Sequence, residues 1–135
     1  MIDIESQVFT AVKNVLQAAY PNAWVSSEYV RTPPQFPAVM LVESINVPYR
    51  RSQDSSHQEV HADIMYELDV YSNKSTGKKR ECKAILAVVD SVMADMGFTR
   101  TFCSPITNIY DPSIYRMTGR YTAIVSQDET IYRRT

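Results

Sequence analysis

The residues with the clearest chemical potential lie where an alternating stretch ends in a basic loop. Residues 72–80 read SNKSTGKKR and separate a predicted strand from a predicted helix. A phosphate-binding loop occupies such a place, but it needs the spacing GxxxxGK[ST], which lets backbone N–H groups converge on the phosphates. Gly77 is the only glycine of this run, and Lys78 is followed by Lys79. The sequence therefore argues against a nucleotide site.

Metal-binding and nucleophilic motifs are also incomplete. His57 and His61 are four residues apart, but we expect the first in a loop and the second in a strand, not on one helix face. The sequence has no GxSxG motif of a nucleophilic serine. We expect Cys82 and Cys103, the two cysteines, to be reduced, buried thiols in a reducing compartment. We therefore expect no enzyme activity, no cofactor and no metal site.

Three carboxylates share one face of the alternating stretch before the loop. Asp63, Glu67 and Asp69 lie on the same side of the predicted strand, opposite its apolar residues. Paired carboxylates can act in acid–base catalysis. Such a row is more often the polar face of an antiparallel strand, and this is the interpretation that we favour.

The basic run is the strongest local deviation from an ordinary surface. Residues 74–83 contain five cations and one carboxylate, a local charge of +4, in a chain of net charge −1. The cations are Lys74, Lys78, Lys79, Arg80 and Lys83. Several open a predicted helix, where the dipole disfavours each exposed cation by roughly 0.3–1 kcal/mol. Arg50 and Arg51 add positive charge in the preceding polar connection. Either the run is a solvated surface, or it contacts an acidic partner or a neighbouring subunit.

Length and composition indicate one folded domain. The chain has 135 residues, of which 44% are hydrophobic and 21% charged, as is typical of a globular domain with a single core. A pI of about 6.1 lacks the basic excess of a general nucleic-acid binder. The start, MIDIESQ, is acidic, unlike a secretory signal. No apolar run approaches the ~20 residues of a membrane helix, so we expect neither a membrane nor a specific nucleic acid as partner.

Apolar periodicity predicts the order α-β-β-β-α-β-β. The predicted elements are helices at 3–20 and 78–96, and strands at 23–30, 38–47, 60–71, 99–109 and 114–125. Asp3 is the expected N-cap of the first helix and Gly97 the left-handed C-cap of the second. Pro105 is expected to break the fourth strand, and residues from about 126 to 135 read as a polar tail.

Hairpins dominate this order, so we predict an α+β domain. Its mainly antiparallel sheet of about five strands should carry both helices on one face. The strands at 38–47 and 60–71 should form a hairpin, joined by a polar connection at 48–58 that becomes ordered against a neighbour. The expected core cluster between the second helix and the sheet consists of Leu68, Val70, Ile85, Val89, Val92 and Tyr121.

Four segments together carry a resemblance to a known family. The first helix ends near Tyr20 and Pro21, and YELDVYSNK follows at 66–74. An amphipathic helix then closes in MGF at 96–98, and a turn marked by Asp111 and Pro112 precedes IYRMTGRYTAIV at 114–125. In this order, over nearly its whole length, the chain resembles the tail terminator (tail-to-head joining, or tail completion) proteins of long-tailed bacteriophages.

The resemblance implies a structural protein of the virion tail or neck, assembled in the host cytoplasm. Such subunits form a hexameric ring on the tail tube, stop its polymerisation and present the surface that joins the head. The implied partners are further copies of the chain, the tail tube protein and head–tail connector proteins. In this interpretation the acidic strand face and the basic run supply opposite side surfaces of the subunit. A head-closure or minor capsid neck protein, a small cytosolic enzyme or ligand-binding domain, and a nucleic-acid-binding module remain as alternatives.

Overall fold

A computed structural model describes residues 1–49, 60–107 and 111–133. Within these ranges the chain forms α1 (Glu5–Ala19), β1 (Trp24–Ser26), β2 (Ala38–Pro48), β3 (His61–Ser72), α2 (Lys78–Met96), β4 (Thr99–Ile106), β5 (Tyr115–Ser126) and β6 (Ile131–Arg133). The predicted α+β class and the order of its elements are confirmed. The segment predicted to be a polar tail contains an additional short strand, β6.

The first helix forms because apolar residues recur on one face and Pro21 stops the run. Val8, Val12 and Leu16 are its buried residues. The N-cap position is Ile4, not Asp3, and Ile4 provides no side-chain cap. The Asp3 carboxylate still accepts the N–H of Glu5 at 3.1 Å. The helix therefore begins one residue later than predicted, and Asp3 supports its start from the position before the N-cap.

The strands form one mixed sheet in the order β1-β2-β3-β5-β4, and β6 pairs with the end of β5. β2 with β3 and β3 with β5 are antiparallel, which confirms the predicted hairpin and the mainly antiparallel sheet. β1 is shorter than predicted and runs parallel to β2. β4 continues through Pro105 instead of breaking there, because an edge strand can leave one side without hydrogen bonds.

One face of the sheet and both helices enclose the main core. α2 buries Cys82, Ile85, Leu86, Val89 and Met93 against this face. The alternation of β3 is confirmed, since its inward positions are fully buried: Ala62, Ile64, Tyr66, Leu68 and Val70. All six residues of the predicted core cluster belong to one cluster, with Val92 partly buried at its margin. Both helices therefore lie on one face of the sheet, as predicted.

The outer face of the sheet is covered at one end. Ala38, Met40 and Tyr71 form a second buried cluster, against which Trp24, Val30 and Phe36 pack. Toward the other end a β-bulge interrupts the β2–β3 register between Glu43 and Ile45. The bulge turns Ile45 and Val47 outward, where they are 42% and 48% exposed. Tyr132 of β6 is 48% exposed on the same face. This end of the sheet therefore presents apolar side chains to its surroundings.

The end of α2 is shaped by Gly97, which has a φ of 108°. This left-handed conformation, predicted from the sequence, lets the N–H of Phe98 reach the carbonyl of Met93 at 2.9 Å. Phe98 is thereby buried edge-on against Tyr66, with ring centroids 5.5 Å apart. A Cβ atom at position 97 would also approach Ile131 to 3.1 Å. Glycine at this position therefore allows both the helix end and the close approach of β6.

Replacing Val89 with alanine tests the packing of α2 on the sheet. Val89 is fully buried, so we expect Val89→Ala to lower the free energy of unfolding by about 1–4 kcal/mol. Val15→Ala is the matched control on α1, where the side chain is 43% exposed, and it should change stability by less than about 0.5 kcal/mol. Urea denaturation measures both. Equal losses in the two variants would contradict this packing.

Candidate functional site

The predicted basic run forms a continuous surface at the start of α2. β3 ends at Ser72, and Gly77, with a left-handed φ of 81°, is the N-cap residue of the helix. An open groove of about 860 Å³ runs beside this turn. Its lining includes Tyr20 from the end of α1 and four of the five cations, Lys74, Lys79, Arg80 and Lys83. We call the five cations, including Lys78, the basic surface.

The cations of the basic surface differ in how far they are neutralised. Lys74 Nζ lies 3.2 Å from the Glu81 carboxylate, which also accepts the Ser72 hydroxyl at 2.7 Å. Lys78 donates to the carbonyl of Ser113 at 3.2 Å. The exposed side chains of Lys79, Arg80 and Lys83 make no hydrogen bond or ion pair with the described part of the chain. The uncompensated positive charge is therefore concentrated at these last three residues.

The three carboxylates predicted to share a strand face do lie together on the outer face of β3, but they differ in exposure. Asp63 and Glu67 are partly exposed on the outer face of the sheet. Asp69 is only 5% exposed. Its Oδ1 accepts the Nε–H of Arg116 at 2.9 Å and the hydroxyl of Thr118 at 2.5 Å. The charge of Asp69 is thus neutralised within the fold, and of the three carboxylates Asp63 and Glu67 remain accessible.

The pair of Asp69 and Arg116 joins β3 to β5. Burial alone would lower the pKa of Arg116, but the hydrogen bond and charge of Asp69 outweigh this effect and raise the pKa. The guanidinium also lies 5.6 Å from the ring centroid of Tyr71. Burial, and then the charge of Asp69, raise the pKa of the Tyr71 hydroxyl to about 12. The guanidinium therefore faces one carboxylate and one neutral ring, an arrangement that favours a structural role.

Carboxylates gather toward the other end of the strands, where β3 begins. Asp63 lies two residues from that end, and the turn between β5 and β6 contains Asp128 and Glu129. Glu129 accepts a hydrogen bond from Gln7 at the start of α1. β3 has 12 residues, and at about 3.3 Å per residue its two ends are roughly 36 Å apart. Unlike charges therefore lie near opposite ends of β3.

Three further carboxylates form an acidic cluster that sequence reasoning missed. Oxygen atoms of Asp3, Glu5 and Glu43 all lie within 4.8 Å of one another. Burial, and then the charges of Glu5 and Asp3, raise the pKa of Glu43 to about 7. Asn46 opposes this shift by donating a hydrogen bond to Glu43 at 3.2 Å. The cluster therefore changes its charge near neutral pH.

One signal in the sequence could have indicated the cluster. Asp3 and Glu5 are both residue types that suit a helix N-terminus, so by themselves they do not indicate a cluster. Glu43 interrupts the apolar stretch AVMLVESINV at an inward position of β2. A carboxylate at such a position is uncommon without a partner. Arg116 had no comparable signal, because its partner Asp69 is 47 residues away.

The two cysteines have different environments. Cys82 is buried, and its thiol donates to the carbonyl of Val70 at 3.5 Å. Burial raises the pKa of this thiol to about 12, so it stays protonated and unreactive. Cys103 is exposed on the edge strand β4. The expectation of a buried thiol is therefore correct for Cys82 and wrong for Cys103.

Some predicted residues fall outside the part of the chain that the structure describes. Arg50, Arg51 and His57 belong to residues 50–59, which lie outside it together with most of the predicted polar connection at 48–58. Among the described helices, neither is long and apolar enough to cross a membrane. Comparisons with models of known protein families and with curated protein sequences found no match. Neither comparison relates the chain to a family.

Removing Arg116 tests the internal ion pair. Arg116→Met leaves Asp69 as a buried carboxylate without its cation, so we expect a loss of roughly 3 kcal/mol in the free energy of unfolding. Arg120→Met is the control on the same face of the same strand, where the guanidinium lies over the Phe102 ring at 4.8 Å. It should lower stability by less than about 1 kcal/mol. A comparable loss in both variants, measured by urea denaturation, would argue against a special role for the pair.

The raised pKa of Glu43 predicts a specific pH dependence. The pKa of about 7 exceeds the ordinary value of 4.5, so the folded state binds more protons than the unfolded state between these pH values. Stability should therefore fall as pH rises from about 4.5 to 7, with the loss complete above 7. The groups that face Glu43 are Asp3 and Glu5 from the start of the chain, Tyr66 from β3, and Asn46.

Glu43→Gln removes this effect and provides the test. In buffer with a chelator, its melting temperature relative to the wild type should rise steadily between pH 4.5 and 8. Glu28→Gln replaces an exposed carboxylate outside the cluster and should show no such trend. A constant difference between Glu43→Gln and the wild type across this range would contradict the raised pKa.

Proposed function

We propose that this chain is a structural subunit that forms a ring at the end of a bacteriophage tail tube, stops tube polymerisation and joins the tail to the head. The resemblance of four segments to tail terminator proteins supports this proposal. The α+β fold, with two helices on one face of a mainly antiparallel sheet, agrees with the small α/β subunits that the resemblance implies.

The observation that carries the proposal is the separation of unlike charges along the subunit. Lys79, Arg80 and Lys83 present uncompensated positive charge where α2 begins. Asp63, Asp128 and Glu129 lie toward the opposite end of the strands. Each subunit of a closed ring contacts its two neighbours through different surfaces, so it needs two unlike regions that complement each other. The basic surface is suited to one side of such a contact.

Exposed apolar residues next to the acidic end add a source of affinity. In the β2–β3 register Val47 lies opposite Asp63, and in the β5–β6 register Tyr132 lies opposite Ile124. Apolar side chains and carboxylates therefore share this end of the outer sheet face. Charges at the rim of an interface mainly steer encounter and select orientation, whereas buried apolar area supplies most of the free energy of association. In an assembly surface the carboxylates would therefore orient the contact, and the apolar side chains would supply its affinity.

Reversing charge on the basic surface tests the proposal. Lys79→Glu together with Arg80→Glu avoids Lys78, which contacts Ser113 within the subunit. The variant should stay folded, because anions at a helix N-terminus are favoured by roughly 0.3–1 kcal/mol each. Ring formation should slow several-fold at low salt and less at moderate salt, since salt screens exposed charges. Circular dichroism, sedimentation and negative-stain microscopy measure these outcomes.

A charge-matched set of substitutions separates a local effect from a general change in charge. Thr10→Glu, Asn14→Glu, Ser91→Glu and Thr101→Glu together add the same four negative charges at exposed positions outside the basic surface. This control should form rings at nearly the wild-type rate. Identical rings at identical rates in the Lys79/Arg80 variant would show that the basic run is only a solvated surface. A purified protein that forms no ring and leaves polymerisation of the tail tube unchanged would overturn the proposed function.

A further inference from the structure

The acidic cluster of Asp3, Glu5 and Glu43 lacks a compensating cation in the described part of the chain. Its carboxylate oxygens lie within 4.8 Å of one another, yet no lysine or arginine pairs with them there. Hydrogen bonds reach them from the backbone N–H of Glu5 and the amide of Asn46, and a side-chain hydrogen bond also links Glu43 to Glu5. Three like charges at this spacing repel one another, so the arrangement favours the uptake of a positive ligand.

A second observation points to a ligand at the same place. Tyr66 lies opposite Glu43 in the β2–β3 register and is fully buried. Its hydroxyl has no hydrogen-bond partner among the described residues. The charges of Glu43, Glu5 and Asp3 all act on this hydroxyl, so a buried donor lies beside the negative cluster. A buried hydroxyl without a partner calls for a bound group.

Asn46 adds a buried hydrogen-bond acceptor that complements the donor of Tyr66. Its Nδ2 donates to the carbonyl of Ile2 at 2.8 Å and to Glu43 at 3.2 Å. Its Oδ1 is buried and has no donor within the described chain. Tyr66 thus offers a free donor and Asn46 a free acceptor beside three carboxylates. A water molecule held by a cation can accept a hydrogen bond from the Tyr66 hydroxyl and donate one to Asn46 Oδ1.

We propose that Asp3, Glu5 and Glu43 bind a divalent cation of the calcium class. All the protein ligands are oxygen atoms, which suit calcium, magnesium or manganese and not the nitrogen and sulfur preference of zinc. The ligands come from the N-terminal segment, the first turn of α1 and strand β2. Calcium accepts such an irregular arrangement, whereas magnesium demands near-octahedral geometry. The positive end of the α1 dipole opposes the cation, but three carboxylates outweigh its partial charge.

Cation binding in this site competes with a proton. Calcium coordinates the ionised carboxylate, so binding should release protons and should strengthen as pH rises. A bound ion would also join the N-terminal segment to β2. Because the ion binds the folded state, it should raise the melting temperature with increasing calcium concentration.

Calorimetric titration of the full chain with calcium chloride is the test. We expect saturable binding of one ion per chain, an increased melting temperature, and at least tenfold weaker binding in Glu43→Gln. Glu5→Gln changes a partly exposed ligand on the first turn of α1 and should give the same loss without disturbing β2. Asp128→Asn removes a carboxylate outside the cluster and should bind calcium like the wild type.

Terbium luminescence reports how close the bound ion lies to a tyrosine ring. A bound terbium ion is sensitised by a nearby tyrosine, so Tyr66→Phe should lose most of the emission while retaining calcium binding within a few-fold. Absence of saturable calcium binding at millimolar concentration, or unchanged binding in both Glu43→Gln and Glu5→Gln, would overturn the site. Tighter binding of magnesium than of calcium would overturn the assignment to the calcium class.

Discussion

The alternation of β3 is the constraint on which the rest of the structure depends. This strand pairs with β2 on one side and β5 on the other, and its inward side chains fill the core beneath both helices. A shift by one residue would exchange Leu68 for Asp69 in that core. The bond between Asp69 and Arg116 on the outer face opposes such a shift, because it forms only in the observed β3–β5 register. Packing on one face and an ion pair on the other therefore specify the same alignment.

A bulge in β2 changes the alternation of that strand beside β3. Without it, Glu43, Ile45 and Val47 would all share the inward face. The bulge at Ser44, whose hydroxyl donates to the carbonyl of Met65 at 3.3 Å, leaves Glu43 inward and turns Ile45 outward. One backbone irregularity thus separates two features, a carboxylate that stays near Tyr66 and an apolar surface that faces outward at the end of the sheet.

The features that the sequence predicted well are those with long, regular periodicity. α2 begins and ends at the predicted residues, and the inward row of β3 is as expected, because each pattern repeats over many residues within one element. The predicted strand at 23–30 is longer than the three-residue β1, and the three-residue β6 was not predicted, since both strands depend on pairing with other parts of the sheet. The acidic cluster was also missed, because it unites the chain start with a bulged strand about 40 residues later. The basic surface was found, since its residues are neighbours in sequence.

The bulge also connects the two proposals physically. Glu43 and Ile45 flank the same residue, Ser44, so an ion bound by Glu43 restrains the backbone from which Ile45 projects. An assembly contact on the outer face and a cation on the inner face would then favour the same conformation of β2. Such coupling is reciprocal, because a ligand that stabilises one backbone state raises the affinity for any second ligand that prefers that state. The charged groups at the two ends of β3 act differently from the bulge. They depend on exposed side chains of α2 and the β5–β6 turn, so they can steer encounter without changing the bulge.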